Sequence, residues 1–141
     1  MLTAKLKAAE ALAPMLSTFH SITGKPLVSV WQCRMEGSLD RVVLDFDGAS
    51  LVILADENDD SIDITLSNES DRRSVGDVDA SGLDPWRSFI GMSFGWGWVT
   101  VNQQGYCDGV LLSFGGIFPQ IALNVVASSI KVAAITGVAS M

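Results

Sequence analysis

The sequence predicts an α+β fold, one β-rich domain in which two pseudo-symmetric repeats each consist of a helix and a four-stranded antiparallel meander. Three observations predict it. First, at an offset of 68 residues the run Asp40-Arg41-Val42-Val43-Leu44-Asp45-Phe46-Asp47-Gly48 lies over Asp108-Gly109-Val110-Leu111-Leu112-Ser113-Phe114-Gly115-Gly116, with five of nine positions identical. The same offset sets Ile53 over Ile121 and Ser61-Ile62-Asp63-Ile64 over Ser129-Ile130-Lys131-Val132, and an offset of 67 sets Gly24 over Gly91, Leu27 over Phe94 and Trp31 over Trp98. The one-residue difference falls in a loop, where length changes are tolerated. Second, short apolar-alternating runs are separated by Gly, Asp and Asn turn chemistry. Third, each set of runs is preceded by helix signals. The repeats are expected over 1–66 and 84–136, joined by a polar surface loop over 67–83.

In chain order, Thr3 is placed to cap a first helix whose Leu2, Leu6, Ala9, Ala13 and Leu16 share one face, with Pro14 bending or restarting it. Strands follow over Leu27 to Arg34, Arg41 to Asp47, Leu51 to Ala55 and Ser61 to Leu66, punctuated by Glu36-Gly37-Ser38, Asp47-Gly48 and Asp56 to Asp60. The second helix is short: Asp84 as cap, Pro85 at the first helical position, Trp86, Phe89 and Ile90 on one face, and Gly91 closing it. Strands near Phe94 to Val101, Gly109 to Phe114, Gln120 to Val126 and Ile130 to Ile135 complete the second repeat.

The composition restricts function before any site is considered. The 141 residues carry 16 acids against 9 bases, a net charge of -7, and 48% hydrophobic residues. The mean hydropathy of +0.34 excludes a disordered chain. The acidic balance argues against nucleic acid, which is bound largely through Lys and Arg. One histidine and two cysteines exclude most zinc sites and any Cys/His-rich scaffold. Glu10 and Pro14 interrupt what would be the apolar core of a signal peptide, and 117–141 is too polar to cross a bilayer, so a cytoplasmic protein with reduced thiols and no membrane partner is expected.

Charge is unevenly divided. Fourteen of the sixteen acids fall between Glu36 and Asp84, while 85–141 holds only Arg87, Asp108 and Lys131 as charges. The first half thus predicts a wet face of Arg41, Asp45, Asp47 and Asp63. The matching outward positions of the second half are Leu111, Ser113, Ala133 and Ile135. Strands apolar on both faces need cover on both faces, here by the first helix or by a second subunit, and a homodimer through the second half is expected.

No constellation reads as catalytic. The loop Asp56-Glu57-Asn58-Asp59-Asp60-Ser61 echoes the opening of a calcium loop, but it has serine where the sharp-turn glycine belongs and Ser67 in place of the closing bidentate glutamate. It reads as a solvated hairpin tip, so no metal and no cofactor are expected. Asp45, Asp47 and Asp63 read as solubilising carboxylates, and Asp40 and Asp108 as residues that start matching strands. Phe94-Gly95-Trp96-Gly97-Trp98 puts three aromatics on one face, read mainly as core, and two glycines on the other that would let an element such as a helix approach closely. His20 stands alone, Cys33 and Cys107 read as small buried residues, and no phosphate-binding glycine loop is present.

Asn102-Gln103-Gln104-Gly105-Tyr106-Cys107-Asp108-Gly109, then Leu112-Ser113-Phe114 and Ala127-Ser128-Ser129-Ile130-Lys131-Val132, resemble a family of small bacterial proteins of unknown function. The resemblance covers mainly the second half. It implies a bacterial origin and a single-domain build, and it supplies no catalytic residues.

The functional expectation is a non-enzymatic protein-interaction module of an immunity or antitoxin type. Its acids, notably Asp56, Glu57, Asp59, Asp60 and Asp63, would steer a basic protein partner. The alternative is a small-molecule binding module with an aromatic pocket between the repeats, lined by Trp31, Trp96, Trp98 and Tyr106. No nucleophile, base and electrostatic stabiliser can be assembled from the sequence, so an enzyme is not expected.

Overall fold

A computed structural model describes residues 2–56, 60–67 and 76–135, and their side chains outside 2–9 and 11. The chain runs α1 (Leu2–Ile22), β1 (Leu27–Met35), β2 (Ser38–Phe46), β3 (Ala49–Asp56), β4 (Ser61–Ser67), β5 (Asp77–Asp79), a 3-10 turn (Trp86–Ser88), β6 (Phe94–Val101), β7 (Cys107–Phe114), β8 (Ile121–Val126) and β9 (Ser129–Ala134). The strands form two antiparallel sheets, ordered β4-β3-β2-β1-β5 and β6-β7-β8-β9. All eight expected strands are present. Tight turns fix their registers: Met35 pairs with Ser38 across Glu36 and Gly37, whose φ angles of 53° and 86° are those of the mirror-image turn that matches strand twist.

The two sheets pack face to face, β4 over β7 and β2 over β9, and share one core. The core is the alternating inner set of each sheet, including Val42, Leu44 and Phe46 of β2 and Val110, Leu112 and Phe114 of β7. A Leu39 N–H to Ser129 Oγ bond of 3.2 Å crosses between the sheets. Helix α1 contacts β4 and β6, one edge strand from each sheet, and so closes the open side of the sandwich. Phe19 drives this docking. Its ring stacks on Phe94 at 5.9 Å, and Gly97 provides the seat, since a Cβ there would overlap the Phe19 ring. The close approach expected of Gly95 and Gly97 is made by the helix at Gly97 and by Gly116 O and Ser113 Oγ at Gly95.

Four expectations need correction. The second repeat does not begin with a helix: between Pro85 and Gly91 there is only the turn Trp86–Ser88, because so short a stretch cannot repay helix nucleation. The helix-plus-meander unit thus occurs once, and the second meander is preceded by a turn whose Trp86 is fully buried. Helix α1 runs continuously through Pro14, and its buried side chains are Met15, Phe19 and Ile22, whereas Ala13 and Leu16 are exposed. Both sets have helical spacing, and the larger aromatic stripe takes the core. Of the predicted face, Leu2, Leu6 and Ala9 lie outside the described side chains. The loop 67–83 contains β5, which extends the first sheet by pairing Trp31, Gln32 and Cys33 with Asp79, Val78 and Asp77. Two of its three residues are aspartate, so no strand pattern advertised it. Finally, Phe94, Trp96 and Trp98 do not share a face. A bulge between Phe94 and Gly97 turns Phe94 inward and both tryptophans outward.

Candidate functional site

Two clefts share no lining residue, and each collects groups from several elements. The larger, about 760 Å³, is lined by Met35, Glu36, Ser38, Asp40, Leu54, Ala55, Asp56, Asp63 and Ser128. The β1–β2 turn contributes Glu36, β2 contributes Asp40, the end of β3 contributes Asp56, and β4 contributes Asp63, so four carboxylates face one space, with no lysine or arginine among the described lining residues. Asp40 is the extra residue of a β-bulge, skipped where the β1–β2 pairing passes from Cys33/Arg41 to Arg34/Leu39. Its Oδ1 is buried and has no hydrogen-bond partner. Asp108 occupies the same bulge position in β7, and there Thr100 Oγ1 donates to its carboxylate at 2.9 Å. The cleft therefore keeps an acid whose hydrogen-bonding capacity is only partly used.

Among the described residues, no group of three or more histidine, cysteine, aspartate or glutamate side chains could hold a metal ion. The cleft's carboxylates are distributed rather than convergent, which suits distributed positive charge. Of the acids predicted to face a partner, Asp56 and Asp63 line it. Asp60 stands beside it and accepts the N–H of the lining residue Ser128 at 2.8 Å. Glu57 and Asp59 lie outside the described residues, as do Glu69 and Asp71. Sequence reading missed Glu36 and Asp40. The recurrence of Asp40 as Asp108 was the available signal for one of them.

The smaller cleft, about 400 Å³, lies between the C-terminal half of α1 and the β6 bulge, lined by Leu16, Phe19, His20, Thr23, Gly95, Trp96 and Gly97. Trp96 stacks on Trp98, ring centroids 6.5 Å apart. The buried hydroxyl of Ser113 holds the bulge: it accepts the Trp96 N–H at 2.9 Å and donates to Gly116 O at 2.7 Å. The two bonds tie Gly116, at the start of the β7–β8 loop, to the Trp96 backbone, and Ile117 and Phe118, which follow in that loop, are exposed.

The four predicted aromatics are not brought together. Trp96 and Trp98 stack on the second sheet. Trp31 lies on the outer face of the first, its indole N–H directed at Asp45 and Ser29. Tyr106 sits in the β6–β7 hairpin, where its backbone N–H donates to Asn102 Oδ1 at 3.2 Å. Asp45 is also not a solvated surface acid. It is 4% exposed and accepts hydrogen bonds from Ser29 Oγ, Ser50 Oγ and Trp31 Nε1.

Cys33 and Cys107 are both buried free thiols. Burial, with the neighbouring Asp108 charge adding to it, raises the Cys107 pKa. The folded state thus holds the thiol proton to higher pH than the unfolded chain does, so this group's contribution to stability falls as pH rises through the unfolded thiol value, about 8.5. Iodoacetamide at pH 8.5 is expected to label Cys107 more than tenfold more slowly in native protein than in urea; peptide mass spectrometry of the two samples checks this, and equal rates would contradict it.

The chain belongs to a family of unknown function (DUF6334), whose model matches residues 10–139. No match was found among curated proteins or among solved structures.

Proposed function

We propose that this family member is a non-enzymatic binding module that uses its acidic cleft to dock a positively charged protein, in the manner of an immunity or antitoxin-like partner. The observation that carries the reading is the cleft's lining of four carboxylates from four chain segments, with no basic side chain among the described lining residues. Opposite charge on a partner raises the encounter rate and restricts choice of partner, and Met35, Leu54 and Ala55 offer apolar walls to the methylene stems of Lys or Arg. Octalysine serves as the probe. Its binding by titration calorimetry is expected to weaken more than tenfold between 20 and 200 mM salt, and more than tenfold in the triple variant Glu36→Gln/Asp56→Asn/Asp63→Asn at low salt. Binding unchanged in that variant would remove the cleft from the account.

A second reading, a small-molecule site, is favoured by the 400 Å³ cleft beside Trp96, a volume within the usual range for ligand pockets. A third component is a homodimer through the apolar second half. Helix α1 docks on the core side of β6, so it leaves the outer face that carries Trp96 and Trp98 to another occupant.

We also read the two meanders as repeats related by a pseudo-twofold axis. Hydrogen bonds support it. Gly24 N to Phe94 O (2.8 Å) exchanges with Gly91 N to Leu27 O (2.7 Å) under the offset of 67, and Leu27 N to Met92 O exchanges with Phe94 N to Lys25 O, both 2.9 Å. Pro26 bridges Ser93, its own counterpart, as an axis between them requires. At an offset of 68, Asp60 bonds Ser128, again its counterpart. On this reading the acidic cleft has a counterpart in which Asp40, Asp56 and Asp63 become Asp108, Asn124 and Lys131. Only the first copy would then attract a cation.

A further inference from the structure

We infer that the outer edge of β6 receives an extended strand from a partner protein, with lysine or arginine at alternate positions. The inference adds a second contact surface to the proposed binding module and does not depend on the acidic cleft. It starts from the pairing registers. The β1–β2 hairpin joins Trp31 to Val43, Gln32 to Val42 and Cys33 to Arg41, and the β6–β7 hairpin joins Trp98 to Leu111, Val99 to Val110 and Thr100 to Gly109. Under the offsets of 67 and 68 these are the same pairs, and each hairpin has its two irregularities at the same places, after Leu27 and Cys33 in one and after Phe94 and Thr100 in the other. Strands β1 and β6 therefore present equivalent outer edges. On β1 that edge is filled, because Asp77, Val78 and Asp79 of β5 pair with Cys33, Gln32 and Trp31. Strand β6 ends its sheet, and among the described residues no strand pairs with its outer side. Sheet edges are commonly guarded by charge or proline, and Phe94–Val101 has neither.

Charge identifies the occupant. On the first edge Asp77 stands opposite Cys33 and is held by Arg41, the residue paired with Cys33 on its other side. In β7 the place of Arg41 is taken by Gly109, so the second edge has no cation there to hold an aspartate. Thr100, in the place of Cys33, instead donates its hydroxyl to the Asp108 carboxylate at 2.9 Å. The base in that row, Lys131, is on β9 at the far side of the sheet. A residue opposite Thr100 thus meets a carboxylate where Asp77 meets a guanidinium, and the strand that fits is β5 with its charges reversed. Opposite Trp98, on the same face, a second lysine or arginine lays its methylenes on the half-buried indole and gains a cation–π contact. The residue between them takes the place of Val78. It pairs with Val99, which packs against the core, and so is apolar. Main-chain hydrogen bonds along the edge supply affinity, and the alternate cations supply the choice of partner. The net charge of -7 draws such a strand in.

The test is amide hydrogen exchange of the 15N-labelled full chain with the capped peptide Thr-Thr-Lys-Val-Lys-Thr-Thr. At saturation the peptide is expected to slow the outward-pointing amides between Trp98 and Val101 about fivefold or more. The same peptide with Asp-Val-Asp, the sequence of β5, is expected to leave them unchanged. N-methylation of the valine or of the lysine pair, whichever faces the edge, is expected to abolish the slowing, because alternate amides of a strand point to one neighbour. Asp108→Asn is expected to lose most of the slowing while exchanging like wild type without peptide. The variant Glu36→Gln/Asp56→Asn/Asp63→Asn is expected to retain it. Octalysine has no apolar middle residue and is expected to leave β6 unchanged. Slowing that is absent with Lys-Val-Lys, that survives both methylations, or that is equal with Asp-Val-Asp would overturn the inference. Slowing that disappears in the triple variant would assign the peptide to the acidic cleft, overturning the inference while leaving the proposed function standing.

Discussion

Replacing Gly97 by valine is expected to destabilise the protein by about 3 kcal/mol, although valine is the better strand former. The sign is set by the Phe19 ring, which occupies the space a Cβ at position 97 needs. The ring cannot swing away cheaply, because it is buried and stacked on Phe94, which in turn packs edge-on against Phe46 and Phe114. Relief therefore requires α1 to lift from the side of the sandwich, exposing Met15 and Ile22. Urea denaturation measures the cost. Phe19→Ala alone is expected to cost about 3 kcal/mol by leaving a cavity. In the double variant the new valine enters that cavity, so the two costs should fall short of additivity by at least about 1 kcal/mol. Strict additivity would mean that the helix does not seat on Gly97.

Asp45→Ala is expected to cost a similar amount, about 3 kcal/mol, because it leaves the Ser29 and Ser50 hydroxyls without their acceptor, and the Trp31 indole N–H with Ser29 Oγ in place of two acceptors, in a nearly dry site. The comparison with Asp47→Ala is the informative one. Asp47 is two residues along the same chain segment and exposed, so its removal should change stability by less than about 0.5 kcal/mol. Thermal or urea unfolding of the pair distinguishes a buried acceptor from a surface charge, and near-equal effects would refute the burial of Asp45.

These two residues also mark where sequence reading succeeds and fails. Gly97 was legible as a site of close approach because a glycine in an aromatic strand has few other uses, and the helix that uses it lay upstream with the right spacing. Asp45 was misread because alternation assigns it to the outer face correctly but says nothing of what covers that face. Its partners Ser29 and Ser50 come from the neighbouring strands β1 and β3, and their convergence depends on register. The strands themselves were readable throughout, since their signal is local period and turn chemistry. Elements whose existence depends on tertiary pairing were not: β5 forms only because β1 offers an edge, and the bulge that separates Phe94 from Trp96 is stabilised by Ser113, seventeen residues away. The acidic cleft follows the same rule. Asp56 and Asp63 stood out in an acidic stretch, whereas Glu36 looked like turn chemistry and Asp40 like a strand start until the fold gathered them.

The proposed binding function depends on those carboxylates acting as one surface. A 15N-labelled sample titrated with octalysine at 20 mM salt tests it most directly. The account predicts that amide shift changes concentrate at Glu36, Asp40, Asp56 and Asp63, saturate, and disappear at 200 mM salt, while Trp96 and Trp98 stay unperturbed. Shifts spread evenly over all acidic residues, or centred on the tryptophan pair, would contradict it.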